Sequence, residues 1–146
     1  MNPFALFTTL AGLIIGLGAL TVIDFHGFLA QKSEYWTEAT TRTHKVTKPL
    51  IWTGLFLFMI GAGFLFKNDY SGIPTWMGVI LIPLVLNGCF LSFAVSPHLL
   101  KKEKEGRAKE ILSPAWQRAI FASFILSLVG WWALVLLLTL ALAKGN

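Results

Sequence analysis

Four long apolar runs, residues 4–25, 49–66, 75–94 and 115–143, alternate with three shorter polar connections. A helix needs ~20 residues, at 1.5 Å each, to cross the hydrocarbon core of a bilayer, and each run approaches or exceeds that length. The pattern predicts an all-α fold: an integral membrane four-helix bundle in a single transmembrane domain spanning residues 1–146.

Finer periodicity predicts how the helices meet. In the first run Thr8, Gly12, Gly16 and Ala19 recur at +4, +4 and +3, on one helix face. Gly12 and Gly16 form a GxxxG pair, which lets two backbones approach closely in lipid. In the fourth run Ala119, Ser123, Ser127 and Gly130 repeat the same spacing. The two small-residue stripes make runs one and four fitting partners, within one chain or between chains.

Polar and proline positions refine the boundaries. Pro49 is expected to open the second helix, where its missing N–H would have no partner. Before it, residues 33–42 read as a short surface helix, with Glu34 and Glu38 in its first turns and Glu38 facing Arg42 at i,i+4. Tyr35 and Trp36 suit the headgroup layer. In the third run Pro83 removes a helical hydrogen bond and Asn87 follows at i+4. The Asn87 amide must tie down the kink, pair with another helix or line a small polar cavity, because lipid offers no partner. Asp24, at the end of the first run, is an interfacial carboxylate or, if deeper, a functional one. Trp131 and Trp132 lie deep in the fourth run, so at least one indole N–H is expected to find a partner within the bundle. Ser96-Pro97 and Ser113-Pro114 each read as a helix start.

Composition agrees with the pattern: 146 residues, 55% hydrophobic and only 13% charged. A net charge of +5 would suit nucleic acid, but its distribution excludes that partner class. Lys32, Arg42, Lys45, Lys48, Lys101, Lys102, Lys104, Arg107, Lys109 and Arg118 cluster at one end of the spans, against Lys67 and Lys144 at the other. By the positive-inside rule both long connections are cytoplasmic and both termini outside, in the cytoplasmic membrane. Met-Asn-Pro-Phe carries no basic region ahead of the first run, which therefore reads as a span and not a cleaved signal. The single Cys89 allows no disulfide framework within the chain.

Candidate chemistry is sparse. His26, His44 and His98 all fall near span ends on the basic side, where imidazoles can ligate a transition metal or a haem iron, with Asp24, Glu34 or Glu38 as further ligands. No two histidines lie within a helical turn of each other. No acidic residue occupies the middle of a span, which disfavours a carboxylate-based antiporter. No serine-hydrolase set, phosphate-cradling glycine loop or zinc signature is present.

One junction carries a family resemblance. Arg42…Lys48-Pro49…Gly54…Gly61 joins a polar linker to a glycine-punctuated span, and Pro97-His98-Leu-Leu-Lys-Lys ends the third span in a basic segment. This layout resembles four-helix bacterial membrane proteins of the copper-resistance D and HemJ-type protoporphyrinogen oxidase families, and implies their four-helix membrane fold. The sequence departs from the HemJ type in having no histidine within residues 4–23.

Three functions remain open. A ligand-, haem- or metal-binding module would use the cytoplasmic-face histidines. A small transporter or channel would use the Pro83/Asn87 kink. An accessory subunit, homo-oligomeric or within a larger membrane complex, would use only the small-residue seams.

Overall fold

The computed structural model describes residues 2–30, 36–67, 72–107 and 110–144, with side chains described at 2–26, 43–67, 72–107 and 110–144. Its described residues are helical and turn structure, with no strand. The helices are α1 (Pro3–Ala30), α2 (Trp36–Leu65), α3 (Ile73–Phe90), α4 (Ser96–Lys104) and α5 (Pro114–Lys144). A single π turn, Leu91–Val95, carries α3 into α4 without a break. Four stretches, Pro3–His26, Thr43–Leu65, Ile73–Lys104 and Pro114–Lys144, are long and apolar enough to cross a membrane.

Local chemistry explains the ends. Asn2 caps α1, its Oδ1 accepting from the N–H groups of Phe4 (3.0 Å) and Ala5 (3.3 Å), with Pro3 in the first helical position. At the far end of α4, Gly106 takes φ +70°, a conformation open to glycine without cost. The N–H groups of Gly106 and Arg107 turn back to the carbonyls of Glu103 (3.1 Å) and Lys102 (2.9 Å), closing the last turn. Arg107 then chelates Glu110 through Nε (2.8 Å) and Nη2 (2.7 Å). These bonds hold the Glu110 carboxyl below its ordinary value and push the Arg107 guanidinium up.

Two antiparallel pairs make the bundle. α1 packs along α2, and α3 along α5. In the first pair a methyl group on Gly12 would collide with the Phe58 backbone nitrogen and lie 2.6 Å from the Gly54 carbonyl oxygen. One on Gly61 would strike Thr9. Those contacts set the register, Thr9 against Gly61 and Gly12 against Phe58. The pairs join through Trp131 of α5, whose ring end fills the space beside Gly16, and through Leu134 and Phe58, both fully buried. A smaller cluster of Val95, Leu99 and Leu112 packs the basic end. Only a minority of each apolar stretch is buried, and large apolar side chains such as Phe7, Phe56, Phe93 and Trp132 are exposed, as on lipid-facing surfaces.

Several expectations are corrected. The stripe on α1 packs chiefly on α2, and the stripe on α5 packs on α3, so runs one and four meet mainly where Trp131 covers Gly16. The reason is that α2 supplies its own small residues, Gly54 and Gly61, which match the α1 stripe. Pro49 lies inside α2 and not at its start. The Lys45 carbonyl loses its helical donor there, but Lys45 and Pro49 are exposed at the end of the span, where the loss is cheap. The helix expected within 33–42 is accordingly the first part of α2 from Trp36; Glu34 and Tyr35, and the side chains of Trp36, Glu38 and Arg42, lie outside the described residues. Ser96-Pro97 does stand at the start of α4, but the π turn delivers the chain already helical and no side chain caps it there.

Candidate functional site

At the basic end the third and fourth turns of α2, around His44–Lys48, face α4. On α2, His44, Lys45 and Lys48 sit at i, i+1 and i+4; on α4, Ser96, Leu99 and Leu100 sit at i, i+3 and i+4. Both sets share one helix face, and together they line a cavity of about 190 Å³. Leu99 is buried and forms its apolar wall.

The π turn shapes this cleft. A π turn inserts one residue into the helical repeat, breaks the ordinary i→i−4 ladder and recurs at functional sites. Here the Ser96 N–H bonds the Leu91 carbonyl. The Ser92 carbonyl accepts from Lys48 Nζ at 3.3 Å, and the Ser92 hydroxyl accepts from Trp52 Nε1 at 3.1 Å. Lys48, Trp52 and Ser92 thus close the cleft toward the bundle interior. The indole that finds a partner is Trp52; among the described residues none of the hydrogen bonds goes to Trp131 or Trp132, whose rings serve packing and the exposed surface.

The charges at the mouth are lightly committed. Lys45 Nζ lies 3.9 Å from Glu103 Oε2 and its side chain is 60% exposed. Surface pairs of this kind contribute ~0–1 kcal/mol. The His44 Nδ1 atom is enclosed and has no hydrogen-bond partner among the described residues. The neighbouring Thr47 hydroxyl is occupied, donating to the Thr43 carbonyl at 2.9 Å.

The other histidines go elsewhere. His26 is exposed near the end of α1. His98 stacks on Trp116 at 4.2 Å between ring centroids and 12° between planes, tying α4 to the start of α5. Among the described residues no three His, Cys, Asp or Glu side chains converge as a metal would require. Asp24 lies on the buried face of α1, two turns beyond Gly16, and its Oδ2 is enclosed without a hydrogen-bond partner among the described residues. By the register of the α1–α2 pair it stands at the level of Thr47.

Asn87 occupies the α3–α5 interface. Its Nδ2 donates to the Ser127 hydroxyl (2.7 Å) and the Ser123 carbonyl (3.0 Å), and its Oδ1 accepts from the Ser123 hydroxyl. All three residues are buried. The amide therefore pairs with a neighbouring helix and leaves the carbonyl freed at Pro83 alone.

Sequence reading passed over Ser92, Ser96 and Trp52 as site residues. Their signal was the two i,i+4 pairs, Lys48/Trp52 and Ser92/Ser96, which acquire meaning only once α2 and α4 are in register. No protein-family model, curated protein or solved structure matches this chain.

Proposed function

We propose that the chain is a small multi-pass protein of the cytoplasmic membrane that binds a ligand in the cleft between α2 and α4. In this reading both termini are outside and the cleft opens on the cytoplasmic side, in keeping with the charge asymmetry. The supporting observation is the cavity lined by His44, Lys45, Lys48 and Ser96, with an enclosed imidazole nitrogen that no described residue satisfies. Buried polar atoms in native proteins are nearly always paired, so the enclosed, unpaired Nδ1 of a lining residue marks this wall as one whose polar groups are not all spent on the described fold. The Asn87 cluster supports a joining role instead, because its amide spends both its oxygen and its nitrogen on α5.

The test is occupancy. Purified in mild detergent, the protein should carry a ligand visible by native mass spectrometry or, for haem, by a Soret band. Ser96→Trp, which fills the cleft, should abolish that signal and reproduce the phenotype of a deletion. A ligand-free wild type, with Ser96→Trp behaving as wild type in cells, would leave the accessory-subunit reading in its place.

A further inference from the structure

We infer that the ligand is the phosphate headgroup of an anionic phospholipid, entering from the bilayer between α2 and α3; this rests on the ligand-binding reading above. Size is the first reason. About 190 Å³ falls below the ~300–1,000 Å³ usual for enclosed small-molecule sites, so the cleft suits a headgroup and not a porphyrin.

Charge is the second. Among the described residues Lys48 spends one of its three N–H donors, on the Ser92 carbonyl, and Lys45 makes one ion pair, its long contact with Glu103. His44 contributes its imidazole to the same wall. Among the described residues Glu103 is the acidic group paired at the mouth; of the lysines flanking it on α4, Lys101 and Lys102 are paired with Glu105 (3.9 Å) and Glu110 (3.7 Å). Basic pockets between transmembrane helices on the cytoplasmic side are the kind that take lipid headgroups.

The route is the third. The backbones of α2 and α3 scarcely approach each other, although each is closely packed on its own antiparallel partner. At the cleft end the Trp52 ring bridges them, standing 3.2 Å from where a Gly88 side chain would begin. Phe56, one turn beyond Trp52, and Phe93, beside Ser92, are both exposed. Exposed apolar side chains therefore flank the α2–α3 seam next to the cationic cleft, where a phospholipid can lay its acyl chains with its headgroup in the cleft. A free phosphate would use the cleft and leave the seam unused.

The experiment is a titration of the delipidated full-length protein with phosphatidic acid, phosphatidylglycerol, phosphatidylcholine and inorganic phosphate, read by native mass spectrometry. The anionic lipids should bind, and phosphatidylcholine and inorganic phosphate should not. Each of Lys45→Gln and Lys48→Gln should weaken the anionic lipids about fivefold, and the pair about 25-fold, as ~1 kcal/mol per cation implies. Lys67→Gln, at the opposite end, should change nothing. Because Lys48 also supports the π turn, Ser96→Phe provides a second, charge-neutral block expected to lose the same binding. Undiminished anionic-lipid binding in both the double variant and Ser96→Phe would overturn the assignment. Inorganic phosphate binding as tightly as the lipids would replace the lipid by a free anion. Haem or a metal bound in place of anions would overturn this inference and leave the ligand-binding reading standing. No binding of any of these, with wild-type function in Ser96→Phe, would sink both.

Discussion

Glycines sort by what surrounds them, and that sorting makes the sharpest residue-scale prediction. Gly12 and Gly54 face backbone across the α1–α2 seam, where nothing can rotate aside to admit a methyl group. Gly18 and Gly63 lie on the same two helices with open space around them. Gly12→Ala and Gly54→Ala should therefore each destabilise the bundle by about 1–3 kcal/mol, the usual cost of overpacking. Gly18→Ala and Gly63→Ala should be neutral or stabilising by up to ~1 kcal/mol, since alanine is the better helix former. Thermal melts in one detergent decide the matter, and equal losses at all four positions would show that helix propensity and not close approach governs them. The sequence made Gly12 and Gly16 legible as a packing stripe because spacing alone defines a helix face. It left their partner illegible, since Gly54 and Gly61 are seven residues apart on α2 and make no i,i+4 motif.

Among elements, the polar bridge between α3 and α5 carries specificity that apolar packing in lipid lacks. Hydrogen bonds between membrane helices average ~0.6 kcal/mol in coupling experiments. Asn87 makes three such bonds to α5, so Asn87→Leu should destabilise the protein by about 1–2 kcal/mol. A double-mutant cycle with Ser127→Ala should return a coupling of about 0.6 kcal/mol, and additivity would mean that the pair contributes nothing net. A second element-scale prediction concerns the end of α4. Its Arg107–Glu110 pair holds Glu110 below its ordinary value of 4.5, so its contribution is present above that pH and is lost as pH falls through the depressed value. Amide exchange at Gly106 and Arg107 should accelerate relative to the intrinsic rate as pH falls below the ordinary carboxylate range, and Glu110→Gln should remove the dependence. That Asn87 needs a partner was legible from its chemistry; the identity of the partner was not, because it depends on the rotation of α5 about its axis. Pro49 misled for a related reason. Proline is excluded from helix interiors by the cost of an unsatisfied carbonyl, and that cost fades where the carbonyl reaches water.

For the molecule as a whole, composition and hydropathy made the four membrane-length helices legible as elements, because length and apolarity are properties of segments and not of tertiary contacts; their ends were less so, since α2 begins at Trp36 and the third stretch runs on to Lys104. The cleft was illegible for the opposite reason. It exists only because a π turn rotates α4 so that Ser96 and Leu99 face His44 and Lys48, and no local pattern announces a π turn. What the cleft would bind depends on which side of the membrane it faces, so sidedness is the prediction on which the lipid assignment also depends. By sequence, ten cations belong to the connections and span ends on the cleft side, and two, Lys67 and Lys144, to the other. Insertion favours retaining the basic loops in the cytoplasm. In a Cys89→Ser background, single cysteines replacing Lys67 or Lys144 should react with a membrane-impermeant maleimide on intact cells. A cysteine replacing Glu103 should react only after the membrane is opened. Because Lys67 and Lys144 are the only cations at their end, Lys67→Gln and Lys144→Gln controls keep the test independent of the charge it removes. The reverse labelling pattern would place the cleft outside, away from the anionic leaflet, and the lipid assignment would then have to stand on its titration alone.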